Sequence, residues 1–233
     1  MSEVSEFYDQ YTQQQKEIGV NKRHHTILGW LKQFGLQSHW SVLEIGCGIG
    51  TFTSLLAPEL KEGKLTINDI SPKSIELAKG HLSAYRNIDY LVGDILPLPI
   101  QQKFDLIVLP DVLEHIPMDQ HHRLFEKLAS LLKTDGYIFI HIPNPLYMEW
   151  AHKNTPELLQ IIDQSLHTDH ICRVTYPHGL YIHFLTTYTI WLENGDHQAI
   201  VLKKRTEKNY PEIIPPIPPL HKRIVNRLKR LFS

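Results

Sequence analysis

Cysteine is nearly absent from this sequence, with Cys47 and Cys172 the two thiols among 233 residues. They stand far apart and without a CxxC spacing, which excludes a disulfide framework and a cysteine-built zinc site, and reduced thiols are expected. Also missing is any run of about 18 uninterrupted apolar residues, the length a membrane-spanning helix needs. The opening segment MSEVSEFYDQ lacks the basic-then-apolar order of a secretion signal. Together these absences lead to the expectation of a cytoplasmic protein. Net charge is small as well, −1, but unevenly placed: Lys222, Arg223, Arg227, Lys229 and Arg230 crowd the last stretch with no acid among them. The rest of the chain is therefore acidic by about −6. A mildly acidic body argues against a broad nucleic-acid surface, which would show clustered Lys and Arg across the domain.

What is present suffices for one α/β domain with a two-sided core, since 42% of the residues are hydrophobic and 21% charged. Strand-length apolar runs alternate with segments of helical period: WSVLEI, TFTSLLAPEL, KLTIN, PKSIELAKGHLSAY, DYLVG, FDLIVLP, HHRLFEKLASLLK and YIFIHIP. That alternation predicts βαβ units around a parallel sheet. Ser71-Pro72 reads as a helix cap and first turn, and Asp135-Gly136 as the close of a later helix. Beyond Pro156 the pattern predicts a helix over ELLQIIDQSL, then a hairpin from Tyr181 to Lys204 around Asn194-Gly195. Five prolines between Tyr210 and Pro219 predict an extended linker, followed by a basic amphipathic helix. Residues 1–209 are thus expected to form the main domain, with 1–39 as an N-terminal helical cap, and 210–233 the linker and tail helix.

The most informative stretch is LEIGCGIGTFT, where a buried strand ends at Glu44-Ile45 and Gly46, Gly48 and Gly50 turn the chain into a helix. Glycine lets backbone approach a ligand closely, although glycine turns after strands also serve plain strand-to-helix geometry. The GxGxG spacing differs from the GxGxxG that cradles a dinucleotide pyrophosphate. Asp69 ends the second strand, where a carboxylate can accept both hydroxyls of a ribose, or cap the helix begun by Ser71-Pro72. Asp94 ends the third, where a polar side chain can meet an adenine amino group while Ile70 and Ile95 cover the ring faces.

These motifs, in order from Trp40 to Pro143, resemble those of the class I S-adenosylmethionine (SAM) dependent methyltransferases. The resemblance implies a Rossmann-like α/β fold, a seven-stranded mostly parallel sheet flanked by helices with the last strand antiparallel. It implies SAM as cofactor, with Glu44, Gly46, Gly48 and Gly50 around the methionine moiety, Asp69 on the ribose, Asp94 and Ile95 at the adenine, and Leu109 lining the cofactor. FYDQYTQQ is similar to the aromatic N-terminal helix that closes over the cofactor in small-molecule members, with Tyr8 and Tyr11 as contacts. The same aromatics could equally pack on the sheet.

Acceptor-side expectations centre on PDVLEHIP, where Asp111, Glu114 and His115 at i, i+3 and i+4 would share one face of a helical turn. The segment is similar to the ExxEH turn of ubiquinone-pathway O-methyltransferases and small-RNA 2′-O-methyltransferases, with Asp111 replacing the first Glu. His115 is expected as the base, with a divalent ion on Asp111, Glu114 and His115 as the alternative. Asn144 and Tyr147, in the loop after the fifth strand, and His167 and His170 are candidate acceptor contacts. The expected reaction is O-methylation of a hydroxylated small molecule, a saccharide or lipid-linked precursor among them. An RNA 2′-O-methyltransferase and a non-catalytic SAM-binding regulator are the rival readings. The tail's Ile224, Val225, Leu228, Leu231 and Phe232 opposite its basic residues suit peripheral contact with an anionic membrane, or docking on the domain or on a second subunit.

Overall fold

The computed structural model describes residues 16–206, so Tyr8, Tyr11 and the segment 210–233 lie outside the described residues. Among the described residues one seven-stranded sheet has the order β3-β2-β1-β4-β5-β7-β6. Its strands are β1 (Ser41–Ile45), β2 (Lys64–Asp69), β3 (Ile88–Val92), β4 (Phe104–Pro110), β5 (Leu132–Pro143), β6 (Leu180–Tyr188) and β7 (His197–Lys204). β1 to β5 pair in parallel, and β7 runs antiparallel to both β5 and β6. This is the expected Rossmann-like sheet with an antiparallel last strand.

Central strands are apolar on both faces because helices cover both. Leu43, Ile107, Ile138, Ile140 and Leu202 join one core with Leu124, Phe125 and Leu128 of α4 (His121–Leu131) and Ile171 of α6 (Thr168–Thr175). Their strand neighbours Val42, Leu106, Val108, Phe139 and Val201 join the other, with Ile27 and Leu31 of α1 (Lys22–Gln33), Leu56 of α2 (Thr53–Leu56) and Ile75 of α3 (Pro72–His81). Strand period two thus sorts the residues onto two faces. The expected cap of α3 forms, as Ser71 Oγ accepts from Ser74 N at 2.9 Å with Pro72 in the first turn.

Four local expectations need correction. The helix predicted over TFTSLLAPEL is α2 followed by a 3₁₀ turn, Ala57–Glu59, because Pro58 cannot donate to a continuing α ladder. α4 ends at Leu131, before Asp135-Gly136, which lies inside β5. Gly136 serves close strand contact there: a Cβ would stand 2.7 Å from the Asp105 carbonyl oxygen, next to a register shift in β4–β5 pairing. ELLQIIDQSL forms only a 3₁₀ turn, Pro156–Leu158, before an irregular segment. Leu166 reaches the core, but Leu158 and Ile161 stay exposed, Leu158 at 74%, and Asp163 takes the Gln160 N–H. Asn194 and Gly195 do adopt φ of 75° and 83°, but within a longer β6–β7 loop, 189–196, gathered by Asp196, which accepts from the Ile190, Trp191 and Leu192 amides. Among the described residues no helix is long and apolar enough to cross a membrane. α5 (Pro145–Asn154) completes the wall above the sheet.

Candidate active site

A cavity of about 550 Å³ opens at the carboxyl ends of β1, β2 and β4. β1 and β4 are neighbours at the point where strand order reverses, and the divergence of their following loops leaves room for a ligand.

One half of the cavity is built by the glycine loop and its acids. Glu44 is fully buried near the end of β1; its Oε2 accepts from Thr53 Oγ1 at 2.9 Å and its Oε1 has no partner. Burial pushes this carboxyl up to about 8, the Thr53 hydrogen bond opposing and the Asp69 charge reinforcing the shift. Gly46, at φ 72°, carries the chain past the turn after β4, where a Cβ would fall 2.2 Å from Val112 Cγ2. Asp69 accepts from Gly48 N at 2.8 Å and Ser71 N at 2.9 Å, so it organises the glycine loop and α3 together. Asp94 is exposed and accepts from Leu96 N, with Ile70 and Ile95 beside it in the lining.

Three expected cofactor contacts do not line the cavity. Gly48 contributes through its N–H to Asp69, and Gly50 packs the loop on α3, where a Cβ would meet Leu82 Cδ1 at 2.8 Å. Leu109 turns into the core, fully buried, and Pro110 and Val112 line the cavity instead. The alternation of β4 explains this, since Ile107 and Leu109 point to the same face.

The other half holds Asp111, Glu114, His115, Tyr147, Met148, Asp163, Arg23 and His197. Asp111, Glu114 and His115 do not share a helical turn as expected: Asp111 has φ 54° and precedes a short 3₁₀ turn, Leu113–His115. Asp111 turns to His141 Nδ1 at 2.6 Å and to Arg23 Nε at 3.2 Å. Burial opposes its ionisation, but Arg23, His141 and His197 outweigh burial and hold the carboxyl well below the usual range. Glu114 is 1% exposed with Oε2 unpartnered, and burial pushes it up to about 8 against the pull of His115. His115 Nδ1 lies 3.0 Å from Asp163 Oδ1 and 2.6 Å from the Ile162 carbonyl. Burial disfavours its charged form, yet Glu114, Asp163 and that carbonyl prevail and raise it to about 9. The irregular segment is pinned here, since Gln164 donates to the carbonyls of Glu114 and Ile116.

Of the four candidate acceptor contacts, Tyr147 lines the cavity and the others do not. Asn144 caps α5 through Leu146 N and donates to the Gly195 carbonyl, which fixes the β6–β7 loop. His167 pairs with Glu149 on the surface, and His170 bonds His121 across α4 and α6. Family resemblance suggested the cavity for these two histidines, but α6 carries them past it. Sequence reasoning missed Arg23, His24, Asp163, His141 and His197. His141 did leave a signal, a histidine within the otherwise apolar strand YIFIHIP.

Residues 42–136 match the family described as a methyltransferase domain. This stretch is a methyltransferase domain of that description. Malonyl-[acyl-carrier protein] O-methyltransferase 1 of Ilyobacter polytropus is 34% identical over 61% of this chain and 50% of its own. Ubiquinone biosynthesis O-methyltransferase of Coxiella burnetii is 30% identical over 66% of this chain and 62% of its own. The chain therefore spans about half to three-fifths of the length of these curated relatives. The fold is shared with the N-methyltransferase NodS of Bradyrhizobium japonicum solved with S-adenosyl-L-homocysteine, at TM-score 0.63, 22% identity, and coverage of 79% of this chain and 86% of that one.

The residues lining the cavity fit SAM, the cofactor that the sequence motifs imply. The unpartnered Glu44 Oε1 in the lining suits an ammonium group, and Gly46 lines the same space with Val112 packed against its bare backbone. Asp69 lines the cavity as a carboxylate, the type of group that can accept ribose hydroxyls.

Proposed function

We propose that the chain methylates a hydroxyl of a small-molecule acceptor, with SAM held by Glu44, Gly46, Asp69, Ile70, Asp94 and Ile95 and the acceptor held beside Glu114 and Tyr147. SAM supplies the electrophilic methyl group; the chain's residues align the acceptor, exclude water and take a proton. The observation that carries this reading is Glu114, a buried carboxyl in the cavity lining with an oxygen no protein donor uses. His115 Nδ1 is engaged by Asp163 and the Ile162 carbonyl, and these with Glu114 raise its pKa, which disfavours it as a base. Glu114 is the base in this reading in its ionised form, which His115 stabilises and which fills as pH rises through about 8, and His115 with Asp163 positions it. The O-methyltransferases among the relatives support oxygen as the acceptor atom.

The test is calorimetry and turnover on the purified chain. SAM and S-adenosyl-L-homocysteine should bind, with Asp69→Ala weakening both at least tenfold through loss of a charge-assisted ribose contact. Glu114→Gln should lower kcat by ~10²-fold against a panel of hydroxylated metabolites with SAM affinity nearly unchanged. Turnover only with amines would move the acceptor atom to nitrogen, and cofactor binding without turnover on any panel would make the chain a SAM-binding regulator.

A further inference from the structure

Asp111, His141 and His197 come from three separated places, the turn after β4, the end of β5 and the start of β7, and none belongs to the cofactor half of the cavity. One carboxylate oxygen and one ring nitrogen from each imidazole all lie within 4.8 Å of one another. The His141 and His197 rings stack at 5.0 Å between centroids and 22° between planes. We propose that Asp111, His141 and His197 form a binding site for a first-row divalent transition ion on the acceptor side of the cavity. It differs from the set expected from sequence, because His115 is engaged by Asp163 and the Ile162 carbonyl.

Donor chemistry selects the class of ion. Two imidazoles and a carboxylate suit Fe²⁺, Co²⁺, Mn²⁺ or Zn²⁺, whereas Mg²⁺ and Ca²⁺ prefer oxygen throughout. His141 is oriented from behind, as metal-bound histidines are, its Nε2 lying 2.5 Å from the Tyr188 hydroxyl. His197 Nδ1 lies 3.3 Å from Asp196 Oδ1 without a hydrogen bond. Asp196 is itself fixed by backbone amides of the β6–β7 loop.

A second observation is the poor match between Asp111 and Arg23. Asp111 Oδ2 and Arg23 Nε are both buried and lack a hydrogen-bond partner, although they stand 3.2 Å apart. A buried carboxylate oxygen left without a donor costs free energy that a coordinated ion would offset. Arg23's side chain is 34% exposed and has solvent to move into. Asp111 and His197 line the cavity while His141 is fully enclosed, so the open positions of the ion face the acceptor. A hydroxyl or carboxylate oxygen of the acceptor would be the further ligand, and the ion would lower a hydroxyl's pKa. That use rests on the methyl-transfer reading; binding of the ion does not.

The experiment titrates chelator-stripped protein with Co²⁺, then Zn²⁺, followed by calorimetry and visible absorption, with S-adenosyl-L-homocysteine binding measured on the same samples. One Co²⁺ per chain with visible d–d bands, displaced by Zn²⁺, is expected. Affinity should fall at least tenfold in His197→Gln and in Asp111→Asn and stay within about twofold in His115→Gln. No ion bound by the wild type, or equal affinity in variants that still bind S-adenosyl-L-homocysteine, overturns the site. Ion binding by a wild type that ignores S-adenosyl-L-homocysteine supports the site and removes the methyl-transfer reading.

Discussion

Glu44 holds its proton at neutral pH because burial outweighs its Thr53 hydrogen bond, and this makes cofactor binding a proton-linked event. An ammonium brought to its unpartnered Oε1 favours the ionised form, so SAM binding at pH 7 should release close to one proton. Calorimetry in two buffers of different ionisation enthalpy reads this directly, and Glu44→Gln should abolish the buffer dependence. A wild type with no buffer dependence would place the ammonium elsewhere. The same shift has a defined sign for stability. The folded state keeps a proton that the unfolded chain loses above 4.5, so Glu44's contribution is complete below that pH and disappears as pH rises through about 8. Glu44 and Asp69 could be singled out as candidates from motif and strand position, but their hydrogen-bond partners and the Glu44 shift could not. Those depend on Thr53, on Gly48 N and on the depth of burial, which no spacing rule reports. Arg23 and Asp111, 88 positions apart, meet through tertiary packing alone.

At the scale of elements, strands and capped helices read clearly because their signals are local. Largely apolar runs such as FDLIVLP became β4, and Ser71-Pro72 began α3. ELLQIIDQSL misled because helical periodicity records apolar spacing without recording whether a core face awaits it. The glycine loop shows the same limit, since three glycines of one motif do different work. Gly50→Ala should destabilise the fold by about 1–3 kcal/mol, from a φ of 85° and the close approach to Leu82, while leaving S-adenosyl-L-homocysteine affinity within about threefold. Gly46→Ala should damage both, since Val112 lines the cavity. Denaturant melts and calorimetry on the pair decide it; equal losses of affinity would return Gly50 to the cofactor site.

Across the molecule, sheet topology was legible from strand–helix alternation and family resemblance, and it fixed the cavity at the junction of β1 and β4. A ligand there touches β1, β2 and β4 at once, so its binding energy should appear as global stability. At one hundred times its Kd, S-adenosyl-L-homocysteine should add about 2.7 kcal/mol and raise Tm by ~5–10 °C for a domain of this size. A melting curve unmoved by the ligand would contradict this coupling. Part of the cavity lies beyond the matched segment. Glu44, Asp69 and Asp94, with Asp111, Glu114 and His115, fall inside the segment that matches the family, 42–136, whereas Tyr147, Met148 and His197 follow it. Inherited changes in the second group can alter what such a protein modifies without passing through a variant that has lost its donor. Two copies of one gene can thus diverge in substrate by drift in their later exchanges of residues while sharing one metabolic supply of methyl groups.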